Sequence, residues 1–437
     1  MSNKSTWRNS FLPLIVLLLV VGSMLNYLDR SVLGVVMPAV RRDLSLTNKD
    51  YGLAIHAFLL MYAVFYILGG RIADRLGYRR TFTLAIIFWS LSTMAHAFVQ
   101  GLRSLFFCEA LSGMGEGSYY PAAMRGAAGL FPPASRAKAV GAILSAISVG
   151  MLLAPPLVAG TTLHFGWRTT FLMIGSLGFL LVPPWLWVHR RLNRVEAKSG
   201  SAPAEQPTDA AGLPAGQEVT LGDVLRSRKY WCVLAARACG DTAWYFYIFW
   251  IPGYFQENRG LSLAWVGRLL WIPYLFSFIG ALAGAAASSA LIRKGWSLHR
   301  GRLACLLVSA FIAVFGASAG FAPTTRWALA LVSLALFAHQ SWSTNLHTVI
   351  TEISPPQHIA ILYGITGASG TLIGAASQLV IGPLIDLHGY KPAFVGAGAL
   401  YVLAVTLLLS AGALEPIQRR LAGLSGMPSV TSATPSP

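Results

Sequence analysis

Long apolar runs recur along the whole chain, and they limit the folds that this sequence can adopt. A run of about 20 apolar residues forms a helix that crosses the roughly 30 Å hydrocarbon layer of a bilayer. A bilayer-spanning segment must be helical or belong to a closed barrel, because no water is present there to bond the backbone. We predict twelve spans, near residues 11–37, 52–72, 81–100, 104–124, 137–160, 169–188, 231–252, 264–291, 303–321, 327–350, 359–385 and 392–412.

The composition agrees with an integral membrane protein. Hydrophobic residues make up 55% of the 437 residues and charged residues only 11%, which is too apolar for a soluble protein of this length. The first span follows Lys4 and Arg8, as a signal peptide would, but it is too long for one and no small-residue cleavage site follows it. We therefore predict an all-α membrane protein that retains its first segment.

The net charge of +17 does not predict nucleic-acid binding, because the basic residues follow the order of the connections. With a cytoplasmic amino terminus, the two ends and the even-numbered connections carry 22 Lys and Arg residues, whereas the odd-numbered connections carry 9. This asymmetry is the positive-inside pattern. Both termini are predicted to be cytoplasmic, in a multi-pass protein of a cell membrane.

A change of composition near residue 200 divides the spans into six and six. Residues 199–216 are rich in Ala, Pro, Gly, Ser and acid and contain almost no large apolar side chain, so they cannot bury a core and read as a linker. The predicted domains are therefore a six-helix bundle at 1–189, a cytoplasmic linker at 190–229, a second six-helix bundle at 230–415 and a cytoplasmic tail at 416–437.

Two sequence matches predict that these bundles are repeats. Gly77-Tyr78 recurs as Gly295-Trp296, and Gly166-Trp167 recurs as Gly389-Tyr390, at offsets of 218 and 223 residues. Parallel six-helix repeats place a substrate site at the interface of the two halves. Chance matching of Gly-aromatic pairs in a chain with 43 glycines is the alternative.

Asp29 and Arg30 lie deep inside the first predicted span. A charge near the middle of a spanning helix costs about 2.5 to 3.5 kcal/mol, so such residues face a partner, a cavity or a transported ion. The pair predicts a polar pathway through the membrane. The alternative is that both charges are paired with other helices and only hold the bundle together.

The connection between spans two and three has the sequence GRIADRLGYRR at residues 70–80. Its spacing resembles the cytoplasmic signature of the major facilitator superfamily. The resemblance implies that Asp74, Arg75 and Arg79 latch the two halves together in the outward-facing state. A charged, solvated loop is the alternative.

Four further motifs are similar to those of the anion:cation symporter branch of that superfamily. They are NYLDR at 26–30, GMGEG at 113–117 followed by PAA at 121–123, WYFYIFWIP at 244–252, and HQSWSTN at 339–345. The branch contains bacterial hexuronate and galactonate transporters and animal vesicular glutamate and sialic-acid carriers. The similarity covers spans one to twelve.

This resemblance implies a fold of twelve transmembrane helices in two pseudo-symmetric six-helix bundles, and symport of an organic anion with protons by rocker-switch alternating access. It implies that Arg30 contacts a substrate carboxylate, as guanidinium does in a two-pronged manner. The substrate-binding set that we predict is Tyr27, Arg30, Tyr62, Arg237, Tyr247, Gln340, Trp342 and Asn345. The proton-coupling set is Asp29, Glu109 and Glu116.

Structural roles remain open for several of these residues. Glu116 could form a hydrogen bond to a neighbouring helix, and Trp342 and Asn345 could hold helices together through hydrogen bonds. The aromatic run at 244–250 is typical of core packing and interface anchoring. Arg237 lies one turn before Asp241, so the two can form an intrahelical pair; the sharper hypothesis makes Arg237, where the family usually has lysine, a second substrate anchor.

Glu109 and the segment 143–148 also depart from the family pattern. Glu109 replaces an arginine seven residues before Glu116, which places the two carboxylates about 10.5 Å apart along one helix face. At least one of them is therefore expected to be protonated, or paired with Arg30 or Arg237. Residues 143–148, ILSAIS, are more apolar than the matching stretch of sugar-acid carriers, which favours a smaller or partly apolar organic acid.

The sequence contains no Gly-x-x-x-x-Gly-Lys-Ser/Thr loop, so an ion gradient is the expected energy source. Its four cysteines fall in or beside predicted spans without metal-ligand spacing. We predict no enzyme activity, cofactor or metal, and a monomer in a bacterial inner membrane with an organic anion, protons and lipid as partners. The alternative function is a transporter-like sensor that binds an organic acid without net transport.

Overall fold

The computed structural model describes residues 3–131, 133–198, 219–355, 358–414 and 416–417. Within these ranges the chain is helical, with twelve long helices and no strand. Each helix matches one predicted span, so the predicted all-α fold is confirmed. Residues 199–218 of the predicted linker, and the predicted tail after residue 417, lie outside the described part.

The first half contains six long helices. Gly166 has φ 80° and ψ 163°, which is non-helical, and it divides the segment Pro133–Leu177 into two helices. The sixth helix continues through a 3₁₀ turn, Gly178–Leu181, into Val182–Lys198. The helices are α1 Asn3–Leu44, α2 Asn48–Leu76, α3 Tyr78–Ala95 with a 3₁₀ turn at His96–Phe98, α4 Leu102–Leu130, α5 at 133–165 and α6 at 167–198.

The second half repeats this order after a short helix, Leu221–Leu225. Its helices are α7 Arg228–Gly253 with a π-helical turn at Tyr254–Asn258, α8 Leu263–Leu269 continued by Trp271–Arg293, α9 Leu298–Gly316 with a 3₁₀ turn at Ala317–Phe321, α10 Thr325–Ile353, α11 Ile359–His388 and α12 Lys391–Ser410.

Three of the long helices are less apolar than the others. Eight segments are long and apolar enough to cross a membrane by length and composition, and one of them, Lys138–Leu192, contains both α5 and α6. Helices α4, α7 and α10 are not among these segments. They carry Glu116, Arg237 and Gln340, which are polar residues of the kind that line a pathway inside a membrane protein.

The glycines of the two sequence matches make equivalent turns in the two halves. Gly77 (φ 79°) and Gly295 (φ 92°) join α2 to α3 and α8 to α9, while Gly166 (φ 80°) and Gly389 (φ 70°) join α5 to α6 and α11 to α12. Glycine adopts positive φ without the steric penalty that a Cβ imposes. The sequence matches therefore have a backbone cause that recurs in both halves.

The two halves meet tightly at the end that holds the α1–α2, α7–α8 and α11–α12 connections. The Nη1 atom of Arg41 lies 2.9 Å from Oε1 of Glu257. The backbone N–H of Lys49 donates to Asp386 at 2.8 Å. The hydroxyl of Tyr51 donates to the carbonyl oxygen of Phe249 at 2.8 Å. We call this end of the molecule the closed end.

The phenol of Tyr390 adds a hydrogen bond at the closed end. The Tyr390 hydroxyl donates to Oε2 of Glu257 at 3.1 Å. Burial, together with the neighbouring Glu257 carboxylate, raises the pKa of Tyr390 well above its usual range. The phenol therefore keeps its proton and remains a hydrogen-bond donor to Glu257.

Helices α2 and α11 cross here with no room for a side chain at two glycines. A Cβ at Gly52 would lie 2.5 Å from the carbonyl oxygen of Gln378, and a Cβ at Gly382 would lie 2.5 Å from that of Asn48. By contrast, a Cβ at Gly70, further along α2, would meet nothing within 4 Å. The closed end thus depends on glycine at the crossing point.

We predict that Gly52→Leu separates the halves at the closed end, because the new side chain cannot fit against α11. Double electron–electron resonance between spin labels at residues 103 and 326, in a background without native cysteines, should show a longer mean distance than in the parent. Gly70→Leu is the matched control and should leave the distance unchanged. Equal distances in the parent and Gly52→Leu would contradict the described packing.

Candidate functional site

A central cavity with a volume of about 330 Å³ lies between the two halves. Helices α1, α2, α4 and α5 form one wall, and α7, α8, α10 and α11 form the other. Tyrosine, histidine, arginine, serine and threonine side chains contribute to its polar lining. Residues of the lining include Tyr27, Arg30, Tyr62, Tyr66, Tyr120, Ser145, Ser148, Arg237, Asp241, Trp244, Tyr245, His339, Gln340, His347 and Tyr363.

Arg30 is held between two aromatic rings and one carboxylate. Its guanidinium carbon lies 4.5 Å from the ring centroids of both Tyr27 and Tyr62, within the range of cation–π attraction. Its Nε donates to Oε2 of Glu116 at 3.0 Å, and its Nη2 lies 2.9 Å from the same oxygen. Arginine has five N–H donors, so Glu116 leaves donors for a second anion in the cavity.

The glycines of the GMGEG motif bring Glu116 to this position. A Cβ at Gly113 or Gly117 would clash with the backbone of Phe58 or Tyr62 on α2, and a Cβ at Gly115 would clash with Trp89 on α3. Small residues allow membrane helices to approach closely. The alternating glycines therefore let α4 pack between α2 and α3, which directs Glu116 toward α1.

Asp29 lies behind Arg30, in a second and much smaller cavity. Both carboxylate oxygens of Asp29 are buried without a hydrogen-bond partner, and the nearby Trp89 indole N–H is also unpaired. The small cavity has a volume of about 10 Å³ and is also lined by Arg30, Glu109 and Glu116. The three predicted proton-coupling residues thus share one polar space.

The partner of Glu109 is a histidine that the sequence interpretation missed. Nε2 of His96 lies 2.9 Å from Oε1 of Glu109. The expectation that at least one of Glu109 and Glu116 is protonated or paired with Arg30 or Arg237 is met by Glu116, which pairs with Arg30, but it did not include His96. The available signal was a histidine inside predicted span three, because ionisable residues within spans are rare.

The second half also presents an arginine to the central cavity. Nε of Arg237 donates to Oδ2 of Asp241 at 3.3 Å, and Nη1 donates to Oγ1 of Thr366 at 2.7 Å. The guanidinium carbon lies 4.9 Å from the ring centroid of Tyr363. The intrahelical pair is formed, and it faces the cavity, so both interpretations of Arg237 remain compatible with its position.

Three predicted substrate residues lie outside the cavity lining, whereas Gln340 is part of it. Tyr247, Trp342 and Asn345 are buried in the packing of the second half. The Asn345 amide donates to the carbonyl oxygens of Gly284 on α8 and Ser341. In this conformation these residues pack helices together instead of facing the cavity.

The predicted latch residues contact their own half. Asp74 forms an ion pair with Arg125 on α4. Nε of Arg79 donates to the Tyr78 hydroxyl at 3.1 Å, and Arg75 is exposed. The segment lies at the end of α2 opposite the closed end.

The structure adds aromatic lining residues that no motif indicated. Tyr66 follows Tyr62 by one helical turn and stacks on Tyr120, with ring centroids 6.1 Å apart. The spacing of four residues places Tyr62 and Tyr66 on one face of α2, a signal that was available in the sequence.

Positions 340 and 345 on α10 provide a test of which helix face meets the cavity. We predict that Asn345→Leu lowers the free energy of unfolding by about 0.6 to 1.7 kcal/mol, the range for hydrogen bonds between membrane helices, and leaves ligand affinity unchanged. Gln340→Leu should lower the ligand affinity and leave the free energy of unfolding unchanged. Melting temperatures of both variants, with and without an organic acid that binds the wild type, check this; a loss of affinity in Asn345→Leu alone would contradict the placement.

Comparison with known proteins agrees with this architecture. Residues 19–377 match the family model of the Major Facilitator Superfamily. The chain is 29% identical to the hexuronate transporter of Bacillus subtilis (strain 168), over 90% of this chain and 92% of the relative. It is 28% identical to the D-galactonate transporter of Escherichia coli O6:H1, over 92% of this chain and 94% of the relative.

A solved structure shows the same fold. The crystal structure of a bacterial homolog to the human lysosomal transporter Spinster, in an inward-facing and unoccupied conformation, matches with a TM-score of 0.71 and 19% identity, over 95% of this chain and 96% of that chain. With the family match, this establishes the multi-pass membrane fold. The chain belongs to the major facilitator superfamily, and it is a transporter and not an enzyme.

Proposed function

We propose that the protein is a symporter that carries an organic anion together with protons across a bacterial inner membrane by alternating access. The proposal rests on Arg30, a buried guanidinium that lines the cavity between the halves while it pairs with Glu116. Sugar acids are carboxylates, and the relatives named above are transporters of hexuronate and D-galactonate. A sugar acid or another small carboxylate is therefore the proposed substrate.

The geometry of Arg30 supports a simple coupling scheme. While Glu116 is ionised, its carboxylate binds some of the N–H donors of Arg30. Protonation of Glu116 removes that competitor and leaves Arg30 with an uncompensated charge, which attracts a carboxylate from the cavity. Proton binding and anion binding then favour each other, and by linkage each raises the affinity for the other.

The shape of the molecule supports alternating access. The halves meet at the closed end, and the central cavity lies between them. With both termini cytoplasmic, as the distribution of Lys and Arg predicts, the closed end faces outward and the described conformation is inward-facing. Asp74 then pairs within its own half, as expected of a latch that acts only in the outward-facing state.

The two bundles at 1–189 and 230–415 are the proposed moving units, joined by the linker at 190–229. Each contributes one wall and one arginine to the central cavity. A single chain therefore contains a complete pathway, and we propose a monomer. Tyr27, Tyr62 and Gln340 are proposed as further substrate contacts, and Arg237 as a second anchor.

The lining from α5 supports a substrate with few hydroxyl groups. Leu144 and Ile147 face the cavity together with Ser145 and Ser148, so this wall offers two apolar side chains and two hydroxyls. A small or partly apolar acid should bind better than a polyhydroxylated hexonate of equal charge. Strict preference for a hexuronate or hexonate in uptake assays would exclude this specificity.

We predict that Arg30→Ala abolishes substrate binding, because the guanidinium supplies the two-pronged contact to the carboxylate. A thermal-shift screen of sugar acids and short carboxylates at two pH values measures this, since a ligand at 100 times its Kd stabilises the folded state by about 2.7 kcal/mol. Arg30→Lys should bind weakly, because an ammonium lacks the planar fork. Arg103→Ala, at an exposed site, is the control; unchanged affinity in Arg30→Ala would refute the role of Arg30.

We predict that Glu116→Gln abolishes accumulation driven by a proton gradient but retains exchange of substrate, because glutamine cannot carry the proton. Uptake and counterflow in proteoliposomes measure the two activities. Glu352→Gln is the matched control, since Glu352 pairs with Arg302 at 2.8 Å but lies outside the central cavity lining. Accumulation at the wild-type level in Glu116→Gln would rule out its proton role, and binding without any flux in the wild type would favour the sensor alternative.

A further inference from the structure

A buried histidine–glutamate pair lies beside the proposed site without being part of the central cavity. His96 and Glu109 are 2% and 8% exposed, and neither lines the central cavity, whereas both line the small one. His96 stacks on Phe171 of α6, with ring centroids 4.7 Å apart. The pair is therefore held in a defined geometry by three helices of the first half.

The hydrogen bonds of His96 fix its tautomer. Its Nδ1 lies 2.9 Å from the carbonyl oxygen of Ser92, which can only accept, so Nδ1 carries a hydrogen. Its Nε2 lies 2.9 Å from Oε1 of Glu109. A hydrogen must occupy this second contact, because a bare imidazole nitrogen and a bare carboxylate oxygen would repel each other at that distance.

The pair therefore holds one exchangeable proton, as imidazolium with carboxylate or as neutral imidazole with carboxylic acid. Either form has no net charge, and loss of the proton leaves a charge of −1. The alternative is a structural hydrogen bond that never releases its proton. The surroundings of the pair favour a proton-releasing site over this structural role.

The small cavity connects the pair to the proposed proton carriers. Asp29, Glu109 and Glu116 all line it, and Asp29 has two buried oxygens without a hydrogen-bond partner. Its volume of about 10 Å³ is close to the space that one water molecule needs, and such a site must offer the water 2 to 4 polar partners. The groups that could pass a proton from the pair to Asp29 or Glu116 in one step therefore line the same small cavity.

A single residue from the second half lines this space among the described residues. Among the described residues that line the small cavity, Phe249 on α7 alone belongs to the second half. Its carbonyl oxygen accepts the hydrogen bond of Tyr51 at the closed end. Separation of the halves at the closed end would carry Phe249 away and open the small cavity to that side of the membrane.

We propose that His96 and Glu109 form a second proton-binding site, which loads from the side of the closed end when the halves separate there and passes its proton inward. This inference rests on the proposed symport function. The proton leaves the Nε2–Oε1 contact and binds a carboxylate oxygen of Asp29 or Glu116, and the pair then carries −1 until a proton from outer water restores it. No bond other than those to the proton changes.

Charged and titratable groups lie near the pair on α1, α2 and α4. Asp29 and Arg30 on α1 and Glu116 on α4 line the same cavity. Tyr51 on α2 and Cys108 on α4 lie within electrostatic range of Glu109. The guanidinium of Arg30 is the cation that favours inward transfer, because it stabilises a negative charge left on the pair.

The test compares the pH dependence of uptake in proteoliposomes for wild type, His96→Gln and Glu109→Gln. Uptake is driven by a proton gradient and measured with an organic acid that stabilises the wild type in the thermal-shift screen. We expect the rate of proton-driven uptake in both variants to lose its dependence on pH. We also expect that rate to fall below the wild-type rate by about tenfold or more. Counterflow and ligand-induced stabilisation should remain as in the wild type.

Two further variants separate a relay from a structural role. His189→Gln removes another buried histidine, which contacts Trp185 and Tyr78 away from both cavities, and should keep the wild-type pH profile. Glu109→Asp keeps a carboxyl and should restore the profile even where Glu109→Gln folds poorly.

A pH profile of unchanged shape in folded His96→Gln and Glu109→Gln would overturn the inference, whether the rate of uptake stays the same or falls by one factor at every pH. A wild type that shows no proton-driven uptake at all would instead refute the proposed function. These two failures are therefore distinguishable.

Discussion

The buried ion pair of Arg30 and Glu116 joins α1 to α4 beside the central cavity. Removing two charges from water is costly, and a buried pair often adds little net stability, whereas breaking it by loss of one partner costs about 3 to 5 kcal/mol. Stability alone therefore gives little reason to keep it. Its place at the wall of the cavity, with Arg30 between Tyr27 and Tyr62, supports the proposed functional reason, in which a proton binds Glu116 and an anion binds Arg30.

The helices around this pair hold it in place, and in the proposed cycle they change its exposure. Glycines on α4 bring Glu116 close to α1, and glycines at the crossing of α2 and α11 close one end of the pathway. The second half mirrors the arrangement with Arg237, Asp241 and Tyr363. A rigid bundle on each side and one tight contact between them are the elements that a rocking movement requires.

Much of the fold was predictable from the sequence because its causes are local. A membrane-spanning helix follows from an apolar run, and the repeat was visible because Gly77, Gly166, Gly295 and Gly389 each meet a demand for positive φ. The position of Arg30 at the central cavity was predictable because a charge inside a span faces a partner or a cavity. These signals do not depend on how distant helices are rotated against each other.

Other features depended on that rotation. On α10, residues 340, 343, 344 and 347 face the cavity, whereas Trp342 and Asn345 point into the packing; both faces carry polar groups, so periodicity did not favour one. Tyr247 lies ten residues after Arg237, which turns it about 80° around α7, and it is buried in the packing. The partner of Glu109 was missed for the same reason, because the register of α3 against α4 decides that His96 meets it.

Proton uptake on substrate binding is the most direct measurement of the exchange at Arg30. A weakly buffered solution of the purified transporter with a pH-sensitive dye reports it when a bound organic acid is added. We expect the wild type to take up protons as the anion displaces Glu116 from the guanidinium, and Glu116→Gln to bind with less proton uptake. Binding by the wild type without any proton uptake, at pH values on both sides of neutrality, would contradict the coupling of the two ligands through this pair.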